Sequence, residues 1–193
     1  MIRAFFAIEL PDDVRDEVKR LQDDLKKTGA DVKWVRPPGV HLTLKFLGQV
    51  AEEVINPLAE AVSGAVASYP TLTLGLARTG VFPGRRRPRV AWVGLDGDLD
   101  NLASLQKAVE EQAAKFGFAK EKRSFNPHLT LGRIRSGQNK DLLLTALNRL
   151  EPRPLALVAR DIILFKSDLK PSGAIYTPLK RLPLKKNSME EKS

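Results

Sequence analysis

Two spacings of apolar residues divide this chain into helices and strands. Val14, Val18, Leu21 and Leu25 recur at intervals of four, three and four, the repeat that lines one face of an amphipathic helix. Pro11 stands where a first helical residue is favoured, and Gly29 where a helix ends. Ahead of this helix, the apolar run 4–8 is too short for a secretory segment and leads straight into Glu9, Asp12 and Asp13, so residues 1–10 are expected to form a first strand. Further strands are expected at 32–35 and 40–47, either side of the Pro37-Pro38-Gly39 turn, followed by a helix that Pro57 starts or interrupts and that ends by Tyr69-Pro70. Strands at 72–77 and 89–95 flank a loop holding Arg85, Arg86 and Arg87. Asp98 precedes a helix with Leu99, Leu102, Leu105, Val109 and Phe116 on its buried stripe. The remainder reads as a strand at 128–134, a helix at 141–150, and strands at 155–165 and 174–182 joined through Pro171-Ser172-Gly173. Residues 185–193 are polar and charged and are expected to fray, which leaves 1–184 as a single domain.

Strands and helices alternate without the regular βαβ signature of a parallel sheet, so the expected class is α+β. The tetrapeptide His-Leu-Thr-Leu occurs at His41 and again at His128. This repeat suggests two related halves, each a sheet with helices on its outer face.

Composition narrows the chemistry. Lys and Arg number 32 against 23 Asp and Glu, a formal net charge of +9, which favours polyanionic partners such as nucleic acid or nucleotides. There is no cysteine, which excludes disulfides, thiolate nucleophiles and cysteine-based zinc sites and is compatible with a cytoplasmic location. No apolar run approaches the length of about 18 residues expected of a membrane span. Asp96, Asp98 and Asp100 imitate the opening of a calcium loop, but Asn101 and Lys107 stand where that loop needs glycine and glutamate. No metal or cofactor is expected.

Within a strand, His41 and Thr43 point to one face and Leu42 and Leu44 to the other; His128 and Thr130 repeat this, with Leu129 and Leu131 behind them. Two imidazoles and two hydroxyls facing one groove form a set suited to a phosphate. An unperturbed histidine titrates near pH 6.5, so one ring accepts a proton from water while the other donates one to a leaving oxygen. The threonine hydroxyls are placed to donate to the non-bridging oxygens. These two histidines are all the histidines of the chain.

Three further stretches share in a wider likeness: Arg3-Ala4-Phe5-Phe6-Ala7-Ile8, Trp34-Val35-Arg36-Pro37 ahead of His41-Leu42-Thr43-Leu44-Lys45-Phe46-Leu47-Gly48, and Phe125-Asn126-Pro127 ahead of His128-Leu129-Thr130-Leu131-Gly132-Arg133. In these the chain resembles the two-histidine phosphoesterases, and among them the RNA 2′,3′-cyclic phosphodiesterases historically called 2′-5′ RNA ligases. The resemblance implies two α+β lobes with the site in the cleft between them. It further implies His41 as proton donor to the leaving oxygen, His128 as the acceptor that activates water, Arg133 as a phosphate contact, and an RNA 2′-phosphomonoester as product. The same residues, with an RNA 5′-hydroxyl replacing water, would form a 2′-5′ linkage at the cyclic end.

Supporting candidates follow from position. Lys45, two places beyond Thr43, is expected on the histidine face. Arg85, Arg86, Arg87 and Arg89 are candidates for the RNA backbone, and Phe125, Tyr176 and Trp34 for stacking on a base. By strict alternation Arg133 falls on the side of Leu131, unless a bulge near Gly132 redirects it. The expected partner is RNA with a 2′,3′-cyclic phosphate end, or a related nucleotide, and the expected state is a monomer. The rival readings are a phosphodiesterase for small cyclic nucleotides, a ligase, and a noncatalytic nucleotide- or RNA-binding module. The retained histidine pair argues against the last, because permanently charged Arg or Lys serves simple phosphate binding better.

Overall fold

The computed structural model describes residues 1–171 and 173–186. In chain order the elements are β1 (Ile2–Glu9), α1 (Asp12–Lys26), β2 (Val32–Trp34), a 3-10 turn (Pro37–Gly39), β3 (His41–Val50), α2 (Glu52–Val66) and β4 (Leu72–Phe82). There follow β5 (Val90–Gly97), α3 (Leu99–Lys115), β6 (His128–Ile134), α4 (Lys140–Arg149), β7 (Ala156–Ala159), β8 (Asp161–Lys170) and β9 (Gly173–Pro183). The strands form two antiparallel sheets, of order β3-β1-β8-β9 and β2-β6-β5-β4-β7. This is the mixed α+β, two-lobed architecture expected from the sequence. No helix among the described residues is long and apolar enough to cross a membrane.

Helices exchange between the lobes. α1 leaves the first sheet and packs on the second, where its Gln22 reaches the Leu131 carbonyl; α3 leaves the second sheet and packs on the first, where its Gln106 reaches the Leu44 carbonyl. Their apolar stripes, Val14, Val18, Leu21 and Leu25 in α1 and Leu102, Leu105, Val109 and Ala113 in α3, are fully buried in one core that runs through both lobes. A smaller cluster of Phe5, Ala7, Ile163 and Phe165, with Tyr176 against it, lies apart from that core. β1 is buried on both faces because alternate residues serve these two clusters: Ala4, Phe6 and Ile8 face the main core, Phe5 and Ala7 the smaller one.

The expected strand 155–165 is two strands. β7 pairs with β4 in one sheet and β8 with β1 in the other, so the chain changes sheet at Arg160. The reason is visible in the burial: β7 buries only alternate residues, Leu157 and Ala159, whereas β8 packs a cluster on each face, Ile162 and Leu164 in the main core and Ile163 and Phe165 in the smaller one. Pro57 neither starts nor interrupts α2, which runs unbroken through it. The fraying expected from 185 does not hold for Lys185, which is bridged to Pro70 and exchanges backbone hydrogen bonds with Tyr69 and Thr71. Residues 187–193 and Ser172 lie outside the described residues.

Candidate active site

β3 and β6 belong to different sheets, yet their Cα atoms approach within 8 Å. Each begins with its histidine, and the first seven residues of β3 share one burial sequence with the seven of β6: half-buried, buried, half-buried, buried, buried, exposed, buried. Two consecutive buried residues break strict alternation, and a β-bulge is the cause. β1 pairs Ala7 with Thr43 but Phe6 with Lys45, so Leu44 is an extra residue; β5 pairs Trp92 with Thr130 but Ala91 with Gly132, so Leu131 is one too. An extra residue reverses the faces of everything beyond it.

This bulge corrects the placement of Lys45. Its side chain turns into the core, 6% exposed, where it ion-pairs with Glu110 and donates to the Ala119 carbonyl at 2.5 Å. It does not share the face of His41 and Thr43. The position it was expected to occupy passes to Phe46, which is 61% exposed. At the matching place on β6, the bulge returns exposed Arg133 to the His128 and Thr130 side. Arg133 acts electrostatically on Tyr176 of β9: burial pushes the Tyr176 phenol up, while Arg133 and Arg3 pull it down. A cation on one sheet is thus felt by a tyrosine on the other.

A bulge leaves backbone groups without ladder partners. Here the carbonyls of both extra residues accept side-chain bonds: Leu44 from Gln106 Nε2 at 3.2 Å, and Leu131 from Gln22 Nε2 at 2.8 Å beside a backbone bond from Val35 at 3.0 Å. Gln106 also donates to Glu110 at 3.0 Å, and Glu110 accepts from the Glu121 backbone at 2.8 Å. The Lys45–Glu110 pair therefore ties the strand of His41 to residues 119–121, which lead to His128.

Both rings are oriented in one manner, by a backbone carbonyl two residues earlier. His128 Nδ1 donates to the Asn126 carbonyl at 2.7 Å, and a ring nitrogen of His41 donates to the Gly39 carbonyl. Because a carbonyl only accepts, Nδ1 of His128 holds its hydrogen and leaves Nε2 as the basic nitrogen of the neutral ring. Aromatic rings pack on each imidazole: Phe5 stacks on His41 at 4.6 Å and Tyr176 meets it edge-on at 5.0 Å, while Phe82 meets His128 edge-on at 5.0 Å. Phe82 also stacks on Trp92 at 5.0 Å. Burial in the Phe5 and Tyr176 cluster lowers the His41 pKa to about 4, only partly offset by the bond to Gly39.

Of the aromatic candidates, only Tyr176 lies against a histidine. Phe125 and Trp34 are half-buried against the main core. Within the arginine loop, Arg85 donates to Asn148 Oδ1 at 2.7 Å and is engaged on α4, whereas Arg86 and Arg87 line open depressions. Phe5, Phe46 and Phe82 escaped the sequence reading. Phe46 had a signal, since Phe46-Leu47 puts two apolar residues in succession where alternation required one. Among the described residues, no three His, Cys, Asp or Glu side chains gather as a metal site.

Comparison with known proteins bears on the repeat directly. The family model described as LigT-like phosphoesterase matches this chain twice, over residues 8–92 and 93–176. An RNA 2′,3′-cyclic phosphodiesterase of Methanothermobacter thermautotrophicus is 35% identical over 179 residues, covering 92% of this chain and 96% of the relative. One from Aquifex aeolicus is 37% identical over 180 residues, covering 90% of each. The crystal structure of Escherichia coli LigT complexed with 3′-AMP superposes with a TM-score of 0.78 at 29% identity, over 95% of this chain and 98% of that one. Each half of the sequence thus matches the same family, as the duplicated bulged strands lead one to expect, and the chain belongs to the LigT-like phosphoesterases.

Proposed function

We propose that this protein hydrolyses the 2′,3′-cyclic phosphate at the end of an RNA chain to a 2′-phosphomonoester, without a metal, using His41 and His128 as acid and base. The observation that carries this reading is the duplicated strand start, in which each histidine is fixed by a carbonyl two residues before it and followed by a threonine on the same face. The names of the relatives and the 3′-AMP complex of LigT agree with a nucleotide phosphate as ligand.

In the reaction, His128 Nε2 takes a proton from water as its oxygen bonds to phosphorus. The bond from phosphorus to the ribose 3′-oxygen breaks, and that oxygen receives the proton of His41. Thr43, Thr130 and Arg133 meet the charge that grows on the non-bridging oxygens. Phe46 offers a base an exposed ring beside Phe5, with centroids 5.8 Å apart. An RNA 5′-hydroxyl in place of water gives 2′-5′ ligation, with His128 and His41 in the same roles. A chelator-treated sample should convert an oligonucleotide ending in a cyclic phosphate to the 2′-phosphate; inactivity in chelator, or a 3′-phosphate product, contradicts the reading.

His41 must hold a proton to act as the donor, and its depressed pKa makes it neutral in the empty site near pH 7. A phosphodiester anion entering the same desolvated cluster favours the charged ring and restores that proton. An NMR titration of the free protein should therefore show the His41 midpoint near 4, rising when a nucleoside 2′-monophosphate binds; a free midpoint near 6.5 contradicts the burial argument. The linked stability has a definite sign. The unfolded histidine titrates near 6.5 and the folded one near 4, so the unfolded chain binds the extra proton between these values. The contribution is complete above about 6.5 and is lost as pH falls from there through about 4.

Phe46→Ala should weaken substrate binding by about 1–3 kcal/mol, the usual value of one stacked base. It should appear in KM, with the melting temperature little changed because the ring is exposed. An unaltered KM removes Phe46 from the site.

A further inference from the structure

A basic path leads away from His128 along the second sheet. Phe82, whose ring touches His128, is followed directly by Pro83 and Gly84, which line a depression together with Arg86 and Arg87. That depression adjoins a second, of about 290 Å³, lined by Arg86, Arg87, Arg89, Arg135, Ser136 and Lys140 among others. No acidic residue lines either one. Among the described residues, Arg86, Arg87, Arg89 and Arg135 have no ion-pair partner, and Lys140 has only a loose pair with Asp141 at 3.9 Å. Arg86, Arg87, Arg89 and Arg135 are exposed. Such a set of free guanidinium groups in a concave surface suits several phosphates in succession.

Its place along the strand sets the register. Ile134, at the edge of the second depression, lies six residues beyond His128 on β6, about 20 Å at ordinary strand rise. Arg133 stands between them on the cleft face. We infer that the depressions bounded by Arg86, Arg87, Arg89 and Arg135 bind the backbone of single-stranded RNA a few nucleotides upstream of the end held at His41 and His128. The inference rests on the proposed action at RNA ends, and makes the protein an enzyme of chains more than of free nucleotides.

The test compares a dinucleotide with a single-stranded RNA of a dozen nucleotides. Both end in a 2′-phosphate for binding by fluorescence anisotropy, and in a 2′,3′-cyclic phosphate for turnover. The wild-type protein should bind the long RNA at least about tenfold more tightly at low salt, and Arg87→Gln/Arg135→Gln should reduce that length preference about tenfold. The salt dependence of long-RNA binding should fall by about 0.7 in logarithmic slope for each phosphate contact removed. No length preference in the wild type, or the same preference in the variant, overturns the subsite. Failure to hydrolyse either RNA would overturn the hydrolytic reading alone, because the anisotropy still decides whether the depressions hold RNA.

Discussion

Replacing either histidine by alanine is expected to lower turnover of a cyclic-phosphate RNA end roughly 10²–10⁴-fold, the reach of one general acid or base. The two losses should diverge when the leaving group no longer needs a proton. With a p-nitrophenyl phosphodiester, His41→Ala should recover by about tenfold or more relative to His128→Ala, because only the donor has become dispensable. Equal losses on both substrates would remove the assignment of His41 as donor, and full activity in either variant would remove the pair. His41 also fills space between Phe5, Phe165 and Tyr176, so His41→Asn is the better control for packing.

The largest effect on stability is expected from Lys45→Met. Lys45 and Glu110 are both nearly excluded from solvent, with side chains 5% and 11% exposed. Removing one member of a buried pair leaves its partner charged and uncompensated, typically at about 3–5 kcal/mol. Glu110 keeps its bonds from Gln106 and the Glu121 backbone, so Lys45→Met/Glu110→Leu should regain part of the loss and not all of it. Urea unfolding measures both. Activity should fall with Lys45→Met as well, because residues 119–121 lose the tie that fixes the approach to His128. A change below about 1 kcal/mol, the range of an exposed pair, would contradict the burial.

These predictions turn on the feature that periodicity reads least well. The amphipathic helices, the opening strand and the repeated tetrapeptide were legible because burial on one face writes itself into spacing. The bulges at Leu44 and Leu131 were not, since an extra residue is a property of pairing between two strands and appears only when both are aligned. Strict alternation therefore sent Lys45 to the cleft, when its charge is in fact satisfied by Glu110 beneath the sheet. A clue lay in the helices. Glu17 and Gln22 in α1, like Gln106 and Glu110 in α3, stand at or beside stripe positions otherwise filled by Val and Leu. A polar residue there signals a backbone or charge that needs a partner. The change of sheet at Arg160 was hidden for a similar reason: β7 and β8 are both apolar, and only the shift from alternate to continuous burial separates them.

Within the candidate site, His41, His128, Thr43 and Thr130 could be singled out because two identical tetrapeptides hold every histidine. The rings around them could not. Phe5 sits in a strand buried on both faces, where sequence gives no means of telling which face meets the cleft.

The central claim is that both imidazoles serve one phosphorus atom. A crystal structure with adenosine 2′-monophosphate tests it most directly. The expected result is a single phosphate group with one ring nitrogen of His41 and Nε2 of His128 both within hydrogen-bond reach, roughly 2.6–3.2 Å, on different oxygens. A phosphate held by one histidine while the other remains beyond the reach of an intervening water would contradict it.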